Sequence, residues 1–491
     1  MSSPILTPFK TLLILDKQSA LPLYQQISAQ LIELIQNGTL QPGQRLLSSR
    51  QLAEELGLHR KTVIMALDEL LVQGWLSSKL GSGTFVSAAL PQVKPQALAT
   101  KENGPLRKSG FAFEAKPYLK IPVLQHTEQL HLDDGFPDPR LAPLKELANA
   151  YKRHLLMGNS YVKLGYGDPK GSLSLRIELA NYLHETRGLK ITQDNLLIVR
   201  GTMMGFALTN MAFLKPSDHV IMGELAWSSA RISVQHSGAT IHYVPVDEHG
   251  IEVEAIAALC QQFPVRMVYL TPHHNYPTTV TLKADRRLAL LKLAQQHRFI
   301  LFEDDYDYDF HYQNKPLLPL TSADDQGLTL YSGSFTKSLS PAFRVGYLVA
   351  PAEVIEHLAY HRRIIDRQGD QVLENAFAEL LHEKLIHKHL RQSLREYRLR
   401  RDFFCDALRT HFNDMIQFTI PEGGLSVWAG FDKSIDYQTF LQQAFLEGLT
   451  LSRCPETNPT QPWYNYCRLG FASSSLEELG RIIEIFKKLI R

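Results

Sequence analysis

Cysteine is scarce in this chain: four residues in 491, at Cys260, Cys405, Cys454 and Cys467, with no two in C-x-x-C spacing. That scarcity argues against a disulfide-stapled frame and a cysteine-rich metal module, and it fits buried thiols in a reducing cytoplasm. Long apolar runs are missing too. Thr11 to Leu15 is too short for the core of a signal peptide, and no run approaches membrane-spanning length. Charge of one sign is lacking: 52 Lys and Arg face 50 Asp and Glu, a formal net charge of +2. No internal repeat or low-complexity tract stands out. With 44% hydrophobic residues, this is an ordinary globular composition, long enough for two or three domains.

Against that plain background one lysine is informative. Lys337 lies in Tyr331-Ser-Gly-Ser-Phe-Thr-Lys-Ser-Leu-Ser-Pro-Ala-Phe-Arg344-Val-Gly-Tyr347, with hydroxyls at Ser334 and Thr336 and a guanidinium at Arg344. A lysine amine condenses with an aldehyde, and the aldehyde cofactor pyridoxal phosphate carries a dianion that needs hydroxyl donors and a fixed cation. A surface lysine in a polar loop is the bland alternative. A second cluster upstream, Phe299-Ile-Leu-Phe-Glu-Asp304-Asp-Tyr306-Asp-Tyr-Asp-Phe310, reads as a buried parallel strand delivering acids at its carboxyl end. Asp304 there suits a protonated pyridine nitrogen, and Tyr306 a ring hydroxyl. Five carboxylates within seven residues, Glu303 to Asp309, also suit a hard divalent cation.

Arg200-Gly201-Thr202-Met-Met-Gly205 follows the apolar strand Leu196 to Val199 and precedes an apolar helix, Phe206 to Leu214. Such a turn offers backbone N–H groups and a helix dipole to an anion. Trp227, after the strand His219 to Met222, can stack on an aromatic cofactor or sit in a core. Arg468 is flanked by apolar residues in Tyr466-Cys-Arg-Leu-Gly-Phe-Ala472, a setting that suits bidentate grip of a carboxylate. The histidines at 273, 274 and from 382 to 389 read as structural, and no metal site is expected.

From about Leu130 to the C-terminus this order of motifs resembles the fold type I, aminotransferase-like family of pyridoxal phosphate proteins. The resemblance implies cofactor contacts at Gly201, Thr202, Trp227, Asp304, Tyr306, Ser334, Thr336, Lys337 and Arg344, and a carboxylate contact at Arg468. Tyr166, in Leu164-Gly-Tyr-Gly-Asp-Pro-Lys-Gly171, resembles the tyrosine that reaches the partner subunit's phosphate. One segment departs from the family. In His273-His-Asn-Tyr276-Pro-Thr-Thr279, Tyr276 stands at the usual asparagine and Thr279 at the usual glycine, with Asn275 the candidate substitute.

The first ninety residues follow a different plan. Leu23, Ile27, Leu31, Leu34 and Ile35 share a helical face that ends at Asn37-Gly38. Ser48 and Gln51 form a capping box, and Gly57 separates two short helices. Trp75 to Lys79 and Thr84 to Ser87 flank Gly81-Ser-Gly83 as a two-stranded wing, not a dinucleotide loop. This stretch, from about Leu21 to Val86, resembles the winged helix-turn-helix of GntR-type bacterial regulators, with Leu47 at a usual proline and His59 at a usual Ser/Thr cap. The resemblance implies DNA contacts from Arg45, Ser49, Arg50, His59, Arg60, Lys61, Thr62, Gly81 and Gly83. Residues 1–87 carry seven Lys or Arg and six Asp or Glu, so local cations rather than a strong net field carry DNA binding.

The expected organisation is an α+β winged helix-turn-helix head over residues 1–87, a basic, proline-containing linker over 88–129, and a large α/β aminotransferase-like body over 130–491. That combination resembles the MocR family of bacterial transcription regulators. It implies a cytoplasmic homodimer, not attached to a membrane, that binds operator DNA and senses a small amine or amino acid through an aldimine at Lys337. Two alternatives stay open: an aminotransferase with an appended DNA-binding head, and a regulator for which pyridoxal phosphate itself is the signal.

Overall fold

The computed structural model describes residues 8–19, 21–79, 81–89, 109–120, 130–156, 160–312, 317–453, 455 and 464–490. Most of the expected linker, and Cys454, therefore lie outside the described residues. The chain divides into two compact units, Met1–Glu114 and Ala115–Arg491.

In the first unit, α1 (Phe9–Leu12), α2 (Leu23–Gln36), α3 (Ser49–Leu56) and α4 (Arg60–Val72) precede an antiparallel ribbon of β1 (Leu76–Lys79) and β2 (Gly83–Val86). The face expected of α2 is the one that folds inward: Ile27, Leu31, Leu34 and Ile35 join Leu52, Val63, Leu67, Leu70 and Trp75 in one apolar core. Ser48 forms the full capping box with Gln51, and Gly57 closes α3 in a left-handed conformation. His59 takes over the capping role at α4 through its ring nitrogen, which accepts from Lys61 N at 3.3 Å.

In the second unit, β3 (Leu130–Leu132) pairs with a late strand. Its centre is a seven-stranded sheet built from β4 (Leu196–Val199), β5 (His219–Gly223) and β6 (Thr240–Val244) and, after a small hairpin of β7 (Val246–Asp247) and β8 (Gly250–Ile251), from β9 (Val265–Leu270), β10 (Ile300–Asp305), β11 (Thr329–Ser334) and β12 (Gly346–Val349). The order is β4-β12-β11-β10-β9-β5-β6. The pairs among β11, β10, β9, β5 and β6 are parallel, whereas β12 runs against both of its neighbours. Alternation along the strands feeds two apolar layers. Val220, Met222, Met267 and Tyr269 meet helices Thr202–Phe213, Ser228–Ser237 and Ala352–Ile365. Ile221, Val268 and Leu270 meet helices Val253–Gln262 and Ala284–His297. A third core joins the long helix Leu385–Phe412 to β13 (Ile416–Phe418), β14 (Ser426–Phe431), β15 (Leu449–Leu451), β16 (Tyr466–Gly470) and the helix Leu476–Leu489. β13, β14 and β16 form an antiparallel sheet, and β15 is the partner of β3.

Candidate functional site: a lysine cavity at the sheet's carboxyl rim and a cationic helix start

The carboxyl ends of parallel strands gather side chains and helix N-termini at one rim, and the expected residues of the body collect there. β4 runs out into Gly201, whose φ of 79° lies in the left-handed region, and the helix begins at once with Thr202 rather than at the expected Phe206. Two close approaches need glycine here. A Cβ on Gly201 would lie 3.0 Å from Nη2 of Arg344, and one on Gly346 would lie 2.8 Å from Cα of Gly201. Arg344 itself is exposed, and its Nη2 donates to the carbonyl of Arg200 at 2.6 Å. Ser334 caps the short helix Phe335–Ser338; its hydroxyl donates to Thr336 Oγ1 at 2.8 Å and accepts from Thr336 N at 3.1 Å. Hydroxyls, a helix N-terminus and a guanidinium thus bound one corner suited to a dianion.

Asp304 sits near the end of β10. Its Oδ2 accepts from the Tyr269 phenol at 2.7 Å, while Oδ1 is buried with no hydrogen-bond partner. Burial pushes this carboxyl up to about 7, aided by Asp305 and Asp307 and opposed by Tyr269 and Thr202. Half-buried Lys337 donates from Nζ to the carbonyl of Gly135 at 2.7 Å and lies 4.2 Å from the centroid of the Phe136 ring. Burial lowers its pKa, Asp134 works against that shift, and Arg468 adds to it. A cavity of about 320 Å³ joins Lys337 and Asp304 to Thr202, Trp227, Tyr306, Ser334, Thr336, Arg344 and Arg468.

These residues fit pyridoxal phosphate. The orphaned carboxylate oxygen of Asp304 matches a protonated ring nitrogen, the Gly201–Thr202 turn with its neighbouring hydroxyls and Arg344 matches the phosphate, and the depressed Lys337 amine matches the aldehyde.

Some side chains are placed differently from what the sequence led us to expect. Tyr306 lines the cavity, but its hydroxyl donates to the carbonyl of His274 at 2.9 Å. Asn275 turns to Tyr276 O and Thr278 Oγ1 and does not line the cavity, so it does not replace the missing asparagine. Tyr276 lines it instead, with its hydroxyl on Asp134. Arg468 is buried as expected, but a carboxylate of the same chain stands at its Nε: Asp134 Oδ1, at 2.8 Å. Tyr166 is 79% exposed, lies outside this cavity and stacks under Arg367. The other acids of the β10 cluster are engaged within the protein. Glu303 accepts from Leu320 N and Thr321, Asp305 from Tyr331, and Asp307 pairs with His274.

Tyr269 and Asp134 are the site residues that sequence reading missed. Tyr269 passes as one more apolar position of a buried strand; only its place one residue from the end of β9 sets it apart. Asp134 carried a readable signal, the Asp133-Asp134-Gly135 turn directly after β3.

In the first unit, Arg50, His59, Arg60 and Lys61 are all exposed, and Thr62 and Ser49 are partly so. Arg60 Nε reaches Ser49 Oγ at 3.4 Å, which joins the starts of α3 and α4 in one polar edge. Gly81 turns the wing with φ 72°. A Cβ on Gly83 would lie 3.1 Å from Nε of Arg45, so the bare glycine lets that arginine lie along the ribbon.

Fold and site together define an aminotransferase-like body on a chain that also carries a winged helix-turn-helix. The family "Aminotransferase class I and II" matches residues 127–486, and "Bacterial regulatory proteins, gntR family" matches residues 23–86. The chain is 27% identical over 447 residues to the probable rhizopine catabolism regulatory protein MocR of Rhizobium meliloti, covering 90% of this chain and 88% of that one. It is 30% identical over 384 residues to the HTH-type pyridoxine biosynthesis transcriptional regulator PdxR of Corynebacterium glutamicum, covering 78% of each. Among solved structures, an archaeal alanine:glyoxylate aminotransferase matches with a TM-score of 0.69 at 26% identity, over 74% of this chain and 91% of that one. The chain belongs to the MocR family, in which a GntR-type winged helix-turn-helix is fused to a class I and II aminotransferase-like body.

Proposed function

We propose that the protein is a cytoplasmic transcription regulator that binds operator DNA through its head, holds pyridoxal phosphate at Lys337, and responds to a small amine or amino acid. One observation carries this reading: a half-buried lysine with a depressed amine and an orphaned carboxylate oxygen share one cavity in a chain whose other unit exposes Arg50, Arg60 and Lys61 at helix starts. When bound, pyridoxal phosphate supplies an aldehyde that condenses with amines and a ring that withdraws electrons.

The remaining tasks fall to this chain's own side chains. Lys337, kept toward its neutral form by burial, is the nucleophile. Asp304 holds a ring cation, and Trp227 offers a stacking face. Gly201, Thr202, Ser334, Thr336 and Arg344 hold the phosphate, Tyr306 closes the wall beside the ring, and Arg468 takes the carboxylate of an amino-acid ligand. Exposed Tyr166 is available to the cavity of a second copy, in line with a homodimer. On the DNA side, Arg45, Ser49, Arg50, His59, Arg60, Lys61, Thr62, Gly81 and Gly83 form the contact surface. Among the described residues no helix is long and apolar enough to cross a membrane. A ligand switches DNA binding only by favouring one arrangement of the protein over another.

Lys337 and Asp304 equally suit an aminotransferase, and one experiment separates the readings. The cofactor-loaded protein is titrated with the twenty amino acids and with simple amines while visible absorbance and binding to its own promoter fragment are followed. A persistent spectral change that alters DNA affinity, with no oxo-acid released, supports the regulator. Sustained turnover with 2-oxoglutarate establishes the enzyme. DNA affinity that follows cofactor occupancy alone makes pyridoxal phosphate the signal.

A further inference from the structure

We propose that Asp134 is a built-in stand-in for the ligand's carboxylate: it occupies Arg468 and Tyr276 while its neighbour Gly135 occupies Lys337, so that a carboxylate ligand enters by displacing the Asp133–Phe136 turn. The proposal rests on the reading of Arg468 as the carboxylate site, and it makes Asp134 the residue that sets how strongly the cavity prefers carboxylated amines over plain ones.

Both oxygens of Asp134 are engaged inside the cavity. Oδ1 is 2.8 Å from Arg468 Nε, and Oδ2 accepts from the Tyr276 hydroxyl at 3.2 Å. The Arg468 guanidinium also packs 5.0 Å from the Tyr276 ring centroid and donates from Nη1 to the carbonyl of Pro277 at 3.1 Å. Arg468 is almost fully buried, with Asp134 against Nε and the Pro277 carbonyl on Nη1. A ligand carboxylate gains a bidentate grip only when Asp134 leaves.

The fit of Asp134 is imperfect. Although Oδ1 is close to Nε, the contact is not an aligned hydrogen bond, and Nε remains a buried donor without a hydrogen-bond acceptor. A carboxylate free to choose its approach makes a better pair, and a buried donor without an acceptor carries a standing cost. This turn also blocks the amine. In the cofactor-free chain Gly135 O accepts from Lys337 Nζ at 2.7 Å, and Phe136 lies against the same nitrogen.

The turn is a discrete unit with space behind it. Asp133 Oδ1 accepts from Gly135 N at 2.8 Å and Phe136 N at 2.7 Å, and Asp133 Oδ2 accepts from the Ser473 hydroxyl at 2.6 Å. Gly135 has φ 78°, and a Cβ on it would lie 3.3 Å from Arg468 Nη2, so the backbone passes against the guanidinium. On its far side lies a second cavity of about 380 Å³; Asp134, Phe136 and Pro341 line both spaces. A displaced Asp134–Phe136 segment has that space to move into, pivoting on Asp133, whose carbonyl accepts from Gly470 N of β16 at 2.8 Å.

The test uses full-length, cofactor-loaded protein and propionate, a carboxylate that has no amine to react with Lys337, with neutral propionamide as control. Calorimetric titration compares wild type with Asp134→Asn and Arg468→Ala, and hydrogen exchange follows the backbone from Asp133 to Phe136. We expect Asp134→Asn to bind propionate about tenfold or more tightly than wild type, with propionamide unaffected. In wild type, propionate should speed exchange across the turn. If Asp134→Asn binds propionate no better than wild type while Arg468→Ala loses it, Asp134 merely positions the arginine and the proposal falls. If Arg468→Ala binds propionate as wild type does, or Asp134→Asn does not bind it at all, the carboxylate reading of Arg468 falls first. Unchanged exchange in saturated wild-type protein overturns the displacement even if the affinities agree.

Discussion

The two units carry their candidate functional groups in opposite ways. In the first, Arg50, Arg60 and Lys61 stand exposed at helix starts above an apolar core. In the second, Asp304 and Arg468 are buried and Lys337 half-buried around one cavity, where Asp305 and Asp307 act on Asp304, and Asp134 and Arg468 act on Lys337. Exposed charges act additively and answer to salt, whereas buried ones are coupled and costly to change singly. The contrast predicts graded losses in the head and large, interdependent ones in the body.

The sharpest break of that contrast is Lys337→Ala. It should leave the protein with no borohydride-trappable cofactor while circular dichroism stays native. In wild type, borohydride followed by peptide mapping should place the adduct on Lys337 and on no other lysine.

Asp304→Asn comes next. With its carboxyl raised from 3.8 to about 7, folded cofactor-free protein holds a proton that the unfolded chain releases. Stability should therefore fall as pH rises from about 4 to about 7 and then level off, a cost on the order of 4 kcal/mol. The asparagine variant should lose this slope and melt higher than wild type at pH 8 when cofactor-free, yet retain cofactor poorly on dialysis. Equal slopes in the two cofactor-free proteins would remove Asp304 from the electrostatic account.

In the head the effects shrink. Arg60→Ala should weaken operator binding by about 1–3 kcal/mol if it reads a base edge. A loss shared by all sequences, with a shallower salt dependence, assigns it to phosphate. Smallest is Ser48→Ala, which removes the capping box of α3 and should cost about 1 kcal/mol in thermal unfolding of the head.

How much of this was legible in the sequence follows the same divide. The head reads well because its signals are local. The Ser48–Gln51 box, Gly57 and the apolar face of α2 each act within one or two helical turns. The sheet was equally plain where four or more consecutive apolar residues formed a buried strand, as at Leu196 to Val199. The site in the body was legible only as far as its motifs reached. Asp304, Thr202 and Lys337 announced themselves, but Asp134 meets Arg468 across more than three hundred residues, which no local pattern records. Tyr306 shows the same limit: its place beside the cavity was readable, whereas the capture of its hydroxyl by His274 depends on the path of another loop.

The single reversed strand has a last consequence. Because β12 runs against β11 and β4, its first residues start at the rim where those two strands end. Lys337 and Arg344 are therefore tied by a short tether that turns back at that rim, with the amine held on Gly135 O and the guanidinium on Arg200 O. That interval works as a gauge. One residue inserted between Ser338 and Phe343 would change the span the cofactor has to bridge.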